Sequence, residues 1–234
     1  MKQIVKANFR VPAAVTFAAA DVDVVNNRVR ISNHGLSVGQ PIAFSAGATL
    51  PAGLAIDTAY YAIVPNGSQI GFATSRANAF AGTAIDITSV GTGTQTLRPN
   101  SFGIILLPTY IPINALVTNA YYDVITTFTS ATADAATIAL QITSAGDLVA
   151  GLSIVTAGDI WDAGIRGTLV GAGTTTLAEA GPNTRTRIVN AADIAAGSLL
   201  VTADSQPAAV VTVDVLTAGE LNLFIEYVFS ATSA

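Results

Sequence analysis

The chain has 234 residues, 51% of them apolar and only 11% charged, so it can bury a sizeable core and is too apolar for a disordered tail. Its net charge of −5 speaks against a general nucleic-acid binder, and the lack of cysteine excludes disulfides and thiolate chemistry. Small and β-branched residues dominate, which favours strands and short turns over helices.

Residues 1–20 read as an N-terminal arm with one strand at most. Lys2, Lys6 and Arg10 make it basic, whereas the chain beyond residue 30 is acidic. Such an arm is either a solvated tail or, its small residues leaving it free to extend, a strap over an acidic neighbour, and its removal is expected to leave the rest folded. Arg10, Pro12 and Thr16 interrupt its apolar stretch, unlike a secretory leader. In "DVDV", Asp21 and Asp23 alternate with valines as the wet face of a strand. In "NRVRIS", Val29 and Ile31 point one way and Arg28 and Arg30 the other. Asn33-His34-Gly35 predicts a structural turn, because Asn and Gly tolerate positive φ, with a ring nitrogen of His34 fixing it through a backbone carbonyl. Strands "QPIAFSA" and "AYYAIV" flank a turn region at "LPAGLAIDT", and Asn66-Gly67 is a hairpin signal. "TAIDITS" and "TQTLRP" then flank the glycine turn "VGTGT". Together these strands define a small β-barrel-like module over residues 21–98.

Pro108 and Pro112 break the apolar run "SFGIILLPTYIPINALV", which is too interrupted to cross a membrane, and residues 99–112 read as a linker. Residues 113–234 read as a β-sandwich domain. Tyr122, Val124, Thr126 and Phe128 share one side of a strand, and Ile138, Leu140 and Ile142 one side of the next, with an exposed loop at "TSATADAA" between them. "GDLVAGLSIVTAGDIWDAG" holds a short helix or only turns, and "TRTRIVN" and "GSLLVTA" are strands. Val211, Val213 and Val215 alternate before a turn at "TAGE"; Leu221, Leu223, Ile225, Tyr227 and Phe229 alternate after it. Phe224 and Val228 enrich the opposite, mixed face and mark it for a partner chain. The fold class is all-β, and no strand–helix rhythm of a Rossmann or barrel enzyme occurs.

Candidate chemistry is thin. His34 is the sole histidine, so a metal site or a conventional triad would lack its other members. "GTGTQT" and "GAGTTT" lack the phosphate-loop lysine, and no helix-flanked calcium loop occurs. Asp159 and Asp162 bracket Trp161, but nothing fixes the carboxylate separation that acid–base chemistry requires, and Trp161 reads as a core anchor. The expectation is a non-enzyme with no cofactor and no metal.

Within residues 26–97, "NNRVRISNHGLSVGQPIAFSAG", "LPAGLAIDTAYYAI" and "GFATSRANAFAGTAIDITSVGTGTQTL" resemble a small β module of tailed-bacteriophage virion proteins. The second half, with "NAYYDVITTFTSATADAATIALQI", "GDIWDAG" and "VLTAGELNLFIEYVF", resembles another part of such particle proteins. That resemblance implies a β-sandwich, often jelly-roll-like, in a homotrimer on the outer capsid surface, made in the host cytoplasm. There it would bind the major capsid protein as a cement or decoration subunit, with Lys2, Lys6, Arg10, Phe224 and Val228 at the partner interface. The net charge and the interrupted apolar run already lead to the expectation of no nucleic-acid and no membrane partner. A tail, fibre or baseplate adaptor is the first alternative. A carbohydrate-binding receptor module, with Trp161 and the tyrosines on its binding face, is the second.

Overall fold

A computed structural model describes residues 1–45, 47–143, 146–155, 160–170, 185–189 and 199–229, the backbone alone at 166–170, 185–189 and 199–200. Lys2–Arg10 form β1, with Ala7 and Phe9 buried and Lys2, Ile4, Lys6, Asn8 and Arg10 exposed. β2 (Val15–Ala18), β3 (Val22–Asp23), β4 (Arg28–Arg30), β5 (Pro41–Phe44), β6 (Tyr60–Asn66) and β7 (Gln69–Ala73) follow, then helix α1 (Arg76–Ala81) and β8 (Thr94–Pro99). β2 to β8 make one antiparallel sheet in the order β2-β8-β5-β6-β7-β4-β3. Its edge strands are consecutive in the chain, separated only by the 3-10 turn Ala19–Asp21, so the sheet curls until its edges meet there. The Phe44 ring fills the centre, edge-on to Phe17 at 6.2 Å and to Phe72 at 5.3 Å.

The second half contains β9 (Gly103–Leu106), β10 (Ala115–Ser130), β11 (Thr137–Gln141), β12 (Val149–Ser153), β13 (Arg166–Val170), β14 (Arg185–Val189), β15 (Leu199–Leu200), β16 (Ala208–Thr212) and β17 (Leu216–Phe229). A six-stranded sheet runs β1-β17-β10-β13-β14 with β15 also beside β10, and a four-stranded sheet runs β12-β11-β16-β9. All pairs are antiparallel except β13–β14. The two sheets share one core: Phe9, Tyr122, Leu221 and Leu223 from the larger meet Ile105, Ile138, Leu140 and Val211 from the smaller. Phe128 stacks on Phe9 at 5.5 Å and stands edge-on to Trp161 at 6.0 Å. Burying each large apolar side chain of this kind is worth about 1.5–3 kcal/mol. The architecture is all-β and sandwich-like.

Several elements differ from the sequence reading. The N-terminal arm is a full strand of the larger sheet, because Val5, Ala7 and Phe9 line its inner face and join the core. β2, within the span read as arm, belongs to the curled sheet, where Phe17 is buried. The span read as a linker contains β9, held by pairing with β16, with Ile105 and Leu107 buried. "TAIDITS" is not a strand, and α1 precedes it: the Ser75 side chain accepts a hydrogen bond from Asn78 N–H, and Gly82 closes the helix in the left-handed conformation at φ 73°. "TAGE" lies inside β17, and the chain turns earlier, at Val213, whose φ is 75°. Thr126 is exposed, because register shifts at Val124/Thr126 and Thr126/Thr129 turn it off the face that Tyr122, Val124 and Phe128 share.

Candidate functional site

The outward face of the six-stranded sheet gathers the five residues assigned to a partner interface. In the β1–β17 register Lys2 faces Val228, Lys6 faces Phe224 and Arg10 faces Glu220, and β10 then sets Tyr121 beside Phe224. Lys6, Phe224 and Tyr121 therefore form one row across three strands. The Lys6 ammonium lies 5.6 Å from the Phe224 ring centre, and Phe224 stacks on Tyr121 at 4.8 Å with 12° between planes. Phe224 and Val228 are half-buried, and Ile4 is 55% exposed on the same face.

The other two cations are tied within the sheet. Lys2 Nζ lies 2.6 Å from Glu226 Oε2, which also accepts from Asn119 Nδ2 at 3.2 Å. The hydrogen bond from Lys2 holds the Glu226 carboxyl below its ordinary range, against the opposing effect of burial. Arg10 Nε lies 3.8 Å from Glu220 Oε2, and Asn8 Nδ2 donates to Glu220 Oε1 at 3.0 Å and to Asn222 Oδ1 at 3.1 Å. Lys6 has no ion-pair partner among the described residues.

The turn residues come together in the curled module. Asn33 and Gly35 take φ of 54° and 65° around His34. His34 Nδ1 accepts the Leu36 N–H at 3.0 Å, so the proton sits on Nε2, which meets the Asn66 carbonyl at 3.1 Å. Asn33 N–H donates to Gly67 O at 3.1 Å, so the two turns clasp each other. At the hairpin tip Ser68 N–H donates to Asn66 Oδ1 at 2.9 Å, and Asn66 and Gly67 both lie outside the left-handed region.

The acidic candidates have structural partners. Asp21 Oδ2 accepts the Ala18 N–H at 2.8 Å, and Asp23 accepts from Val25 and Asn26 N–H, so both brace turns; the Asn26 side-chain hydrogen bond lowers the Asp23 pKa first of all. Trp161 is fully buried, its Nε1 donating to Leu152 O at 3.2 Å, and cannot serve as a glycan platform. Asp159 lies outside the described residues. Among the described residues no three His, Asp or Glu side chains gather as a metal site, and no helix is long and apolar enough to cross a membrane.

Sequence reasoning missed a polar cluster where the curled sheet meets the sandwich. Asp214 accepts from Ser130 Oγ at 2.6 Å, Thr132 N–H at 2.6 Å and Val215 N–H at 2.9 Å. Burial, and then the nearby Asp214 charge, push the Asp57 carboxyl up. Burial also lowers the Arg98 pKa, while Asp214 acts the other way. Asp57 Oδ1 and Arg98 Nε are buried without hydrogen-bond partners. The signal available in the sequence was "GLAIDT", where a lone aspartate follows an apolar run.

No protein-family model matches this sequence, and no curated protein matches it.

Proposed function

We propose that this chain is a non-enzymatic structural subunit of a tailed-phage virion, a homotrimer on the outer capsid that bridges and stabilises major capsid subunits. The observation that carries the reading is the row Lys6–Phe224–Tyr121, with Ile4 and Val228 beside it, on the open face of a sheet whose other face is buried. Partly exposed aromatics next to a cation, on a rigid sheet, are the side chains that protein contacts favour. The resemblance of residues 26–97 to a virion module supplies the setting. In that setting the mechanism is mechanical. A standard contact buries about 1,600 Å² in total, and repeating modest contacts around a shell stabilises the lattice through avidity.

Quantitative mass spectrometry of purified particles, scaled to their shell protein, tests the reading. Copy numbers on the order of hundreds fit a decoration subunit whose many weak contacts act together, and roughly tens or fewer point to the tail or fibre. Absence from the particle removes both. Light scattering of the purified protein tests the trimer, which a monomer would overturn.

A further inference from the structure

We infer that the free edge of β1 is a strand-addition site for an extended acidic segment of a partner protein. The inference rests on reading this sheet as an assembly surface. It adds which edge is used and what chemistry the incoming segment must have.

The direction of the backbone groups follows from the register. β1 and β17 pair without a shift from Lys2↔Val228 to Arg10↔Glu220, and Val11 N–H continues the same ladder to Gly219 O at 2.9 Å. Gln3, Val5, Ala7 and Phe9 therefore exchange hydrogen bonds with β17. The N–H and C=O groups of Lys2, Ile4, Lys6, Asn8 and Arg10 point the other way. β1 is the last strand on its side of the sheet, so among the described residues that row has no strand partner. Proteins blunt such edges with short strands, bulges, prolines or charge. β1 is nine residues long with no bulge and no proline, so only charge guards it.

That charge selects the occupant. Lys2, Lys6 and Arg10 recur every fourth residue with side chains on one face. Antiparallel pairing of two β1 strands about Lys6 would set Lys6 against Lys6 and Lys2 against Arg10. Parallel pairing in register would set each cation against itself. Like charges directly opposite are unfavourable, so a second copy is repelled along this edge. A segment with carboxylates at the three matching positions is attracted, and its position opposite Ile4 is apolar. Lys2 and Arg10 can serve such a segment while keeping their bridges, because both side chains are more than half exposed, at 54% and 72%. Lys6, held only over the Phe224 ring, is the centre of the site.

The probe is a synthetic peptide with Glu, Thr, Glu, Val and Glu at alternate positions from its N-terminus, so that antiparallel pairing sets valine opposite Ile4, and threonine between them, beside a control with lysine for glutamate. Backbone amide exchange of the full chain is followed by NMR. The glutamate peptide should slow exchange at Ile4, Lys6 and Asn8 by about tenfold or more, with little change at Val5 and Ala7, which already lie in the ladder. Lys6→Glu should weaken binding by about tenfold. Ile4→Pro should abolish it, since a proline there removes only an outward N–H and leaves the β17 ladder whole; circular dichroism confirms that each variant is folded. Binding with no protection at the even-numbered amides, equal binding of the lysine peptide, or no binding at all would overturn the site. Particle attachment is measured separately. Peptide pairing without attachment removes the virion reading and keeps this edge, while attachment without pairing does the reverse.

Discussion

His34 and Asn66 are joined by a hydrogen bond of 3.1 Å between the imidazole Nε2 and a hairpin carbonyl. Together with the Leu36 N–H on Nδ1, this makes the imidazole a bridge between two turns that are far apart in sequence. His34→Ala should cost about 1–3 kcal/mol, chiefly because the buried Leu36 N–H loses its partner, with the part-buried contact to the Asn66 carbonyl lost as well. Urea denaturation measures the loss. His34→Gln, which can restore one of the two bonds, should recover part of it. An alanine variant as stable as the parent would mean that the bridge is dispensable.

Asp57 predicts a pH dependence. Its folded pKa is raised above the ordinary 3.8, chiefly by burial and then by Asp214. A carboxyl shifted this way is best tolerated when protonated. Its contribution is most favourable below the unfolded value, declines as pH rises through the folded value, and stays unfavourable above it. Asp57 also sits at φ 49°, which asparagine accepts readily. Asp57→Asn should raise the thermal midpoint at neutral pH by about 2–4 °C. The gain should shrink towards zero below roughly pH 4, where the parent is protonated as well. A variant less stable at neutral pH would contradict the assignment.

Gly219 explains why the "TAGE" segment is not a turn. A Cβ there would overlap the Phe128 ring, and its φ is 139°. Glycine is present so that β17 can run beneath an aromatic ring, not so that the chain can reverse. Gly219→Ala should destabilise the sandwich by several kcal/mol, at least the roughly 1–3 kcal/mol typical of overpacking. Adding Phe128→Leu should make the alanine less costly than it is alone, because the obstructing ring is gone. Strictly additive effects in a double-mutant cycle would count against this contact.

What could be read in the sequence was mostly local. The alternation of Leu221, Leu223 and Ile225 and of Ile138 and Leu140 gave strand faces correctly, since period two follows directly from the pleat. The true turn before β17 was hidden because it uses Val213 at positive φ, a conformation that valine rarely adopts. Asp214 braces it by accepting from Ser130 and Thr132, which lie in a distant segment, and from the neighbouring Val215 N–H. β9 was masked by the prolines that follow it, although its pairing ends before Pro108. At the candidate interface Phe224 and Lys6 could be picked out by type. Their alignment in one row could not, because it depends on the register between strands at opposite ends of the chain.

The N-terminal strand gives the last prediction and changes what a truncation should do. As a flexible arm, residues 1–12 would be removable without loss of fold. As β1, they supply nine register pairs, the Phe9–Phe128 stack and the buried Ala7 and Val11. Losing Phe9 alone is comparable to a buried Phe→Ala change, about 3–5 kcal/mol, and deletion also bares the β17 edge. The truncated chain should therefore unfold at much lower urea and tend to aggregate, so its failure to bind particles would say nothing about charge. The informative variant replaces Lys2, Lys6 and Arg10 with glutamine and keeps the strand. The surface ion pairs it loses are worth about 0–1 kcal/mol each, so it should remain folded. If the cations dock on an acidic neighbour, this variant should attach more weakly, and attachment of the parent should fall as salt rises, since exposed charges are screened beyond about 8 Å at physiological ionic strength. A truncation as stable as the full chain would refute the structural role of β1. Unchanged particle binding by the glutamine variant would refute the docking role.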